Sequence, residues 1–204
     1  MKAVRFAALA AALAVSGCAT TGQAPAEHES HWYNPLTYHW AALNPLSWFG
    51  GSLQVTEQGV AGLNGSTLMS ESSISQALNN DYQLRQGMRS EQGEVAEFWQ
   101  ALQDGKVKLI ISGKPTVERI EVLDAAAESS SGSKIGDRFS DTFTKAFNNC
   151  KMVAGLDAHD VECQAPGSQH IFYVYSGKWH GPAGLMPSDD TLKSWTISKI
   201  VWQR

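Results

Sequence analysis

The chain has 204 residues, a formal net charge of −4 and three cysteines, and 43% of its residues are hydrophobic. With one composition regime and no Lys/Arg block, it reads as a single globular core and excludes nucleic acid as a partner. Beyond Val15 no stretch is long or apolar enough for a transmembrane helix.

The first twenty residues form an export signal. Lys2 and Arg5 precede an apolar run from Phe6 to Val15, which leads into Val15-Ser16-Gly17-Cys18. A charged start, a short apolar stretch and small residues before a cut make a secretory signal peptide. The run is shorter than the ~20 residues that a membrane-spanning helix needs. Val15 to Cys18 resembles a bacterial lipobox. In such signals the leader is cut before the Cys, the thiol receives diacylglycerol, and the new amino group is acylated, commonly with palmitate. The resemblance implies that residues 1–17 are a lipoprotein signal peptide and that Cys18 is the lipidation site. Each buried CH₂ contributes about 0.8 kcal/mol, so three chains anchor permanently where one would not. Ala19, where inner-membrane lipoproteins carry Asp, implies the periplasmic face of the outer membrane. The competing reading is an ordinary signal peptide in which Cys18 is incidental.

Residues 18–31 are polar and aperiodic and read as a tether with a reach of roughly 20 Å. Residues 32–50 form an aromatic leader with Trp32, Tyr33, Tyr38, Trp40, Trp48 and Phe49 and two copies of Asn-Pro-Leu. Trp and Tyr suit a headgroup region. Pro35 and Pro45 interrupt any long helix, however, and the basic residues of an interfacial helix are absent. Packing onto the chain's own sheet is the simpler expectation, most clearly for Trp48 and Phe49.

The globular domain is expected over 51–204. Leu53 to Val55 reads as a short strand. Ile74, Ala77 and Leu78 fall at helical spacing behind Ser70 and Glu71 and predict a short capped helix. Strands follow over 82–88 and 94–102, joined at Ser90–Gly93. Asp104-Gly105 then turns the chain into 106–112, where Val107, Leu109 and Ile111 alternate with Lys106 and Lys108. A further turn at 112–115 leads to 117–123, so an antiparallel meander is expected. Ala125 to Ser133 is a loop. Phe139, Phe143, Ala146 and Phe147 lie on one helical stripe and predict a second helix, capped by Asp137 or Ser140 and ending at Asn148-Asn149. Strand signals return over 168–176 and 194–203. The expected class is α+β: one domain with a mostly antiparallel sheet and two short helices.

With Cys18 lipidated, Cys150 and Cys163 are an even pair in an oxidising compartment and are expected to form a disulfide that ties the second helix. A metal or redox pair is the alternative, but the spacing is far too wide for C-x-x-C. Motifs for serine hydrolases, zinc proteases and nucleotide binding are absent. His159, near Asp157, Asp160 and Glu162, reads either as a weak metal site or as a solvated acidic loop. His170, Ser168 and Asp189 or Asp190 are the available parts of a hydrolase triad, which only geometry can test. Asp189-Asp190 behind Ser188 reads as a helix cap or as a carboxylate pair for a cationic partner. Trp179, Trp195 and Trp202 read as core or as an exposed aromatic shelf. The candidate binding residues are Asp189, Asp190, His170, Trp179 and Trp195; no catalytic residue, metal ligand or cofactor is assigned.

"SLQVTEQGVAGL", "DYQLRQGM", "KIGDRFSDTFTKAFNNC", "ECQAPGSQHIFYVYSG" and "GPAGLMPSDDTLKSWTISKIVW" together resemble the envelope-stress (sigma-E) regulated lipoproteins of enteric bacteria, a domain of unknown function. The resemblance spans Trp48 to Trp202 and carries no catalytic residues over. It implies an outer-membrane lipoprotein whose expression rises when membrane proteins misfold. The functional expectation is a non-catalytic binding or accessory factor in envelope maintenance. Its partners are the membrane, through the lipid, and an envelope protein, peptidoglycan or lipopolysaccharide. An envelope hydrolase using His170 with Asp189 or Asp190, and a structural subunit of an envelope complex, are the alternatives.

Overall fold

The structure, a computed structural model, describes residues 53–91, 94–153, 159–182 and 184–204. The chain divides into residues 1–47 and a unit from Trp48 to Arg204, to which every described residue belongs. The signal peptide, Cys18, the tether and the aromatic leader lie outside the described residues.

Strand β1 (Gln54–Thr56) folds back as β2 (Gly59–Val60). Helix α1 (Glu71–Ala77) follows where expected, and Ser70 Oγ accepts the N–H of Ser73 at 3.4 Å. That hydroxyl satisfies one of the donors a helix start leaves open, and Ile74 is buried beneath it. The meander comes next: β3 (Gln83–Glu91), β4 (Glu94–Gln103), β5 (Lys106–Ser112) and β6 (Arg119–Val122). Asp104 at φ +51° and Gly105 at φ +72° supply the two left-handed residues of a type I′ hairpin turn.

The remaining elements are β7 (Glu128–Ser129), α2 (Phe139–Thr142), β8 (Cys150–Met152), β9 (Val161–Gln164), β10 (Ile171–Ser176), α3 (Asp189–Leu192) and β11 (Thr196–Gln203). Eight strands make one sheet in the order β3-β4-β5-β6-β11-β10-β9-β8, and every neighbouring pair is antiparallel. A second, three-stranded sheet has the order β2-β1-β7, with β1 and β7 parallel. The antiparallel sheet stands as expected. The described domain is mostly β, however, and three helices of seven, four and four residues support the α+β label only loosely.

Alternation sets the core. On β6, Ile120 and Val122 join Leu109 and Ile111 of β5 in the apolar cluster, as do Tyr173 and Tyr175 of β10 and Ile200 and Trp202 of β11. Leu53, Val55, Ile74, Leu78, Phe139 and Leu192 cover them from the second sheet and the three helices.

Two expectations around the disulfide need correction. The Phe stripe does not make a long helix, for α2 spans four residues and Phe143 is already extended at φ −127°. Neither Asp137 nor Ser140 is the N-cap. Arg138 holds that position, and its N–H donates to the Asp141 carboxylate at 3.1 Å. Phe139 and Phe143 still pack together, with ring centroids 5.1 and 6.1 Å from Tyr175, but Phe147 is 80% exposed. Thr142, Phe143 and Thr144 are weak helix formers, and Ala146 closes a turn through its carbonyl with the N–H groups of Asn149 and Cys150. The disulfide forms, but between strands rather than at a helix end. Cys150 on β8 lies directly opposite Cys163 on β9, with Cα atoms 4.0 Å apart.

Candidate binding groove

β8 is an edge strand, and the turn of 146–149 leads into it. Ser188 caps α3 by accepting the N–H of Thr191 at 3.4 Å, which fixes where Asp189 begins. The Asp189 carboxylate leaves its own helix and accepts the N–H of Ala146 at 2.9 Å. This clip joins α3 to the turn, and between them opens a groove of about 790 Å³. Its wall includes Phe147, Phe172, Met186 and the disulfide, with Lys151, Glu162, Gln164, Asn148 and Asn149 as polar groups. Lys151 Nζ stands 5.8 Å from the Phe172 ring centroid and 3.2 Å from Glu162 Oε1. A cleft of this size that sets aromatic and aliphatic surface beside polar groups is a form binding sites take.

One end of the groove is wired into a charged network on the face of the large sheet opposite the core. Glu162, 4% exposed, also receives Arg119 Nη2 at 2.6 Å. Arg119 in turn reaches Glu121 at 3.4 Å and Gln203 Oε1 at 2.9 Å. Glu121, 7% exposed, receives Lys199 at 2.9 Å and lies 3.8 Å from Arg89. Burial alone would raise the Glu121 carboxyl. The hydrogen bond and charge of Lys199, then Arg119 and Arg89, hold it below its ordinary value. Burial opposes the charge of Arg119, but Glu162 first and Glu121 after it outweigh burial and raise its guanidinium.

Register shows how the sheet is bent. Arg119 on β6 and Glu162 on β9 are three strands apart and about four residues out of line. In a flat sheet that separation would be roughly 19 Å, from ~4.8 Å per strand and ~3.3 Å per residue. An Arg and a Glu side chain cannot span it, so the 2.6 Å contact requires the sheet to curl toward its charged face along this diagonal.

The residues singled out from sequence fall in separate places. Asp189 borders the groove, as do Cys150 and its bridge to Cys163. Asp190 is exposed and bonds Lys193 at 2.7 Å, and that hydrogen bond lowers its carboxyl. Trp195 is core at 2% exposure, and Trp202 is core with its indole N–H on the Glu57 carbonyl at 3.0 Å. Trp179 is half-buried against Gly181, and its enclosed Nε1 has no hydrogen-bond partner among the described residues.

His170 lies just before β10, where Nδ1–H donates to the Gln203 carbonyl at 2.9 Å. Ser168 Oγ accepts the N–H groups of His170 and Ile171 at 3.2 and 2.7 Å, a local turn motif. Glu57 accepts the N–H of Gln169 at 3.2 Å. Burial opposes ionisation of Glu57, but Ser168, that N–H and the charge of His170 lower its carboxyl. Ser168 therefore meets Glu57 and local backbone, the His170 ring meets the Gln203 carbonyl, and Asp189 meets the Ala146 N–H; no side-chain hydrogen bond joins the three into a relay.

In the acidic loop, His159 is exposed, Glu162 is turned into the charged network, and Asp157 lies outside the described residues. No cluster of three metal-ligating side chains forms among the described residues. Sequence reasoning missed Phe147, Phe172, Lys151 and Glu162 as groove residues. Alternation on β9, where Glu162 falls between Val161 and Cys163, was the available signal.

Comparison with known proteins adds kinship. "Uncharacterized protein YfeY" of Escherichia coli (strain K12) is 44% identical over 205 residues, covering 100% of each chain. The crystal structure of the uncharacterized protein yfeY from Escherichia coli matches with a TM-score of 0.68 at 48% identity, covering 74% of this chain and 99% of that one. The family model described as "Protein of unknown function (DUF1131)" matches residues 37–204, and the chain belongs to that family.

Proposed function

We propose that this protein is a lipid-anchored, non-catalytic binding or accessory factor on the periplasmic face of the outer membrane, and that it holds its ligand in the groove beside the disulfide. The observation that carries this reading is the groove itself. An 80% exposed Phe147 stands with Phe172, Met186 and Lys151 around about 790 Å³, while no side-chain hydrogen bond joins His170, Ser168 and Asp189 into a relay. The lipobox at Val15–Cys18 and the Cys150–Cys163 bridge support an exported, oxidising setting. The family resemblance supports expression under envelope stress. The ligand class is an envelope polymer, with peptidoglycan, lipopolysaccharide and a polypeptide as its members.

The test is retention of the lipidated full chain by purified peptidoglycan and by lipopolysaccharide micelles. Phe147→Ala is expected to weaken retention at least tenfold, and Asp190→Asn to leave it unchanged. Retention that ignores Phe147→Ala overturns the groove. A turnover abolished by His170→Ala moves the reading to the hydrolase. Labelled palmitate should enter the wild type and not Cys18→Ser; incorporation in both would sink the anchor.

A further inference from the structure

The turn that presents Phe147 is tied at both of its ends. Asp189 accepts the Ala146 N–H at 2.9 Å, and the Ala146 carbonyl accepts the N–H groups of Asn149 and Cys150 at 3.1 and 2.9 Å. From there the backbone bonds β8 to β9 at alternate residues. Gln164 N–H meets the Asn149 carbonyl and Val153 N–H meets the Asp160 carbonyl, each at 2.9 Å. Cys150 and Cys163 face each other between such bonded pairs, so antiparallel alternation puts no backbone bond between the two of them. At that step of the ladder the disulfide is what crosses from β8 to β9. β8 ends the sheet, whereas β9 is also paired with β10 over four register steps. The two sulfurs are placed unequally. Cys163 is 0% exposed, while Cys150 is half-buried and lines the groove. Access decides which sulfur of a disulfide is attacked, and accessible bridges are the labile ones.

We propose that Cys150 Sγ is a thiol-exchange site, and that reduction of its bridge by a dithiol releases one wall of the groove. The second half of this proposal rests on the reading of the groove as a binding site. A thiolate of the dithiol attacks Cys150 Sγ and forms a mixed disulfide, and Cys163 leaves as a thiolate that takes up a proton. The dithiol's second thiolate then attacks its own sulfur in the mixed disulfide, and Cys150 leaves in the same way. The bridge has gained two electrons and two protons, and the dithiol departs as its own disulfide. Once the bridge is open, β8 is a three-residue edge held by backbone bonds alone. Such edges open locally while the rest of a fold stays closed. Phe147 and Lys151, at the two ends of the freed segment, then lose their fixed spacing to Phe172 and Met186 across the groove. The oxidised chain holds its ligand, and the reduced chain lets it go.

The experiment treats the folded, detergent-extracted full chain with dithiothreitol and quenches it by acid and alkylation. Reduction should be first order in dithiothreitol and at least tenfold faster than global unfolding. A brief pulse of glutathione should be found on Cys150 at least tenfold more often than on Cys163 by peptide mass spectrometry. Deuterium uptake of the reduced chain should rise at least tenfold at the N–H groups of Asn149, Cys150 and Val153 and stay unchanged across β3–β6. Reduction that waits for global unfolding overturns the proposal, as does glutathione on Cys163 or an uptake that does not move at 149–153. None of these readouts involves a ligand. Retention by purified peptidoglycan or lipopolysaccharide micelles should fall at least tenfold on reduction and return on reoxidation. The variant carrying both Cys150→Ser and Cys163→Ser should ignore the thiol. A retention that needs Phe147 yet survives reduction overturns the control of the groove. Retention of the oxidised chain that ignores Phe147→Ala sinks the binding reading instead, and the exchange site then stands or falls on the first three readouts.

Discussion

The two ends of the large sheet are finished in opposite ways. β8 is three residues long, carries Lys151 toward the charged face, and is bonded to its neighbour through Cys150–Cys163. β3 is three times that length, has no covalent tie, and leaves two large apolar side chains in solvent on its hairpin. Short strands and lysines are how proteins keep an edge from recruiting another chain. Long regular edges are what β-augmentation uses. The contrast teaches that, among the described residues, one end of the sheet is short, cross-linked and set beside a side-chain groove, while the other is long and regular.

The largest change should come from the group that ties the two halves. Glu121 meets Arg89 of β3, while Arg119 beside it meets Glu162 of β9. Glu121→Ala removes the buried carboxylate that the half-buried Lys199, Arg119 and Arg89 share and should cost about 3 kcal/mol, read by urea unfolding. The same residue sets a pH dependence. Its folded pKa lies below its ordinary value of 4.5, so its stabilisation is complete above that value and fades as the pH falls through the lowered one. Unfolding between pH 6 and 3 should therefore show a flatter loss for Glu121→Gln than for wild type; parallel curves would remove Glu121 from the account.

Next in size is the closed edge. Replacing both Cys150 and Cys163 with Ser opens a loop of 13 residues and should cost about 3 kcal/mol, or roughly 6–12 °C in Tm. Hydrogen exchange should rise first at β8 and leave β3 unchanged. Exchange that rises equally at both would mean that the two ends unfold as one unit.

Much of this was legible from local chemistry. The β3–β6 meander shows in alternation and in Asp104-Gly105, and the Ser70 and Ser188 caps show in hydroxyls placed before short amphipathic turns. The Phe139, Phe143, Phe147 spacing misled because helical period is a statement about faces. Two of those rings do share a face against Tyr175, yet the backbone leaves the helix at Phe143. β8 and β9 escaped because they are short, and Lys151, Glu162 and Gln164 interrupt them with polar side chains. The charged face was illegible for a different reason. Arg89, Glu121, Glu162 and Lys199 are scattered along the chain, and only strand order brings them together.

The smallest test separates two adjacent carboxylates. Asp189 and Asp190 look equivalent behind Ser188, but Asp189 accepts the Ala146 N–H while Asp190 faces solvent with Lys193. Asp189→Ala frees a turn that leads into the closed edge and should cost about 1.5 kcal/mol, the low end for a charge-assisted bond to backbone. Asp190→Ala should leave the melting curve in place, since an exposed pair is screened and held by flexible side chains. The order of the two effects matters more than their size. If Asp190→Ala destabilised more, the clip to Ala146 would not be what shapes the groove, and the closed edge would owe its order to the disulfide alone.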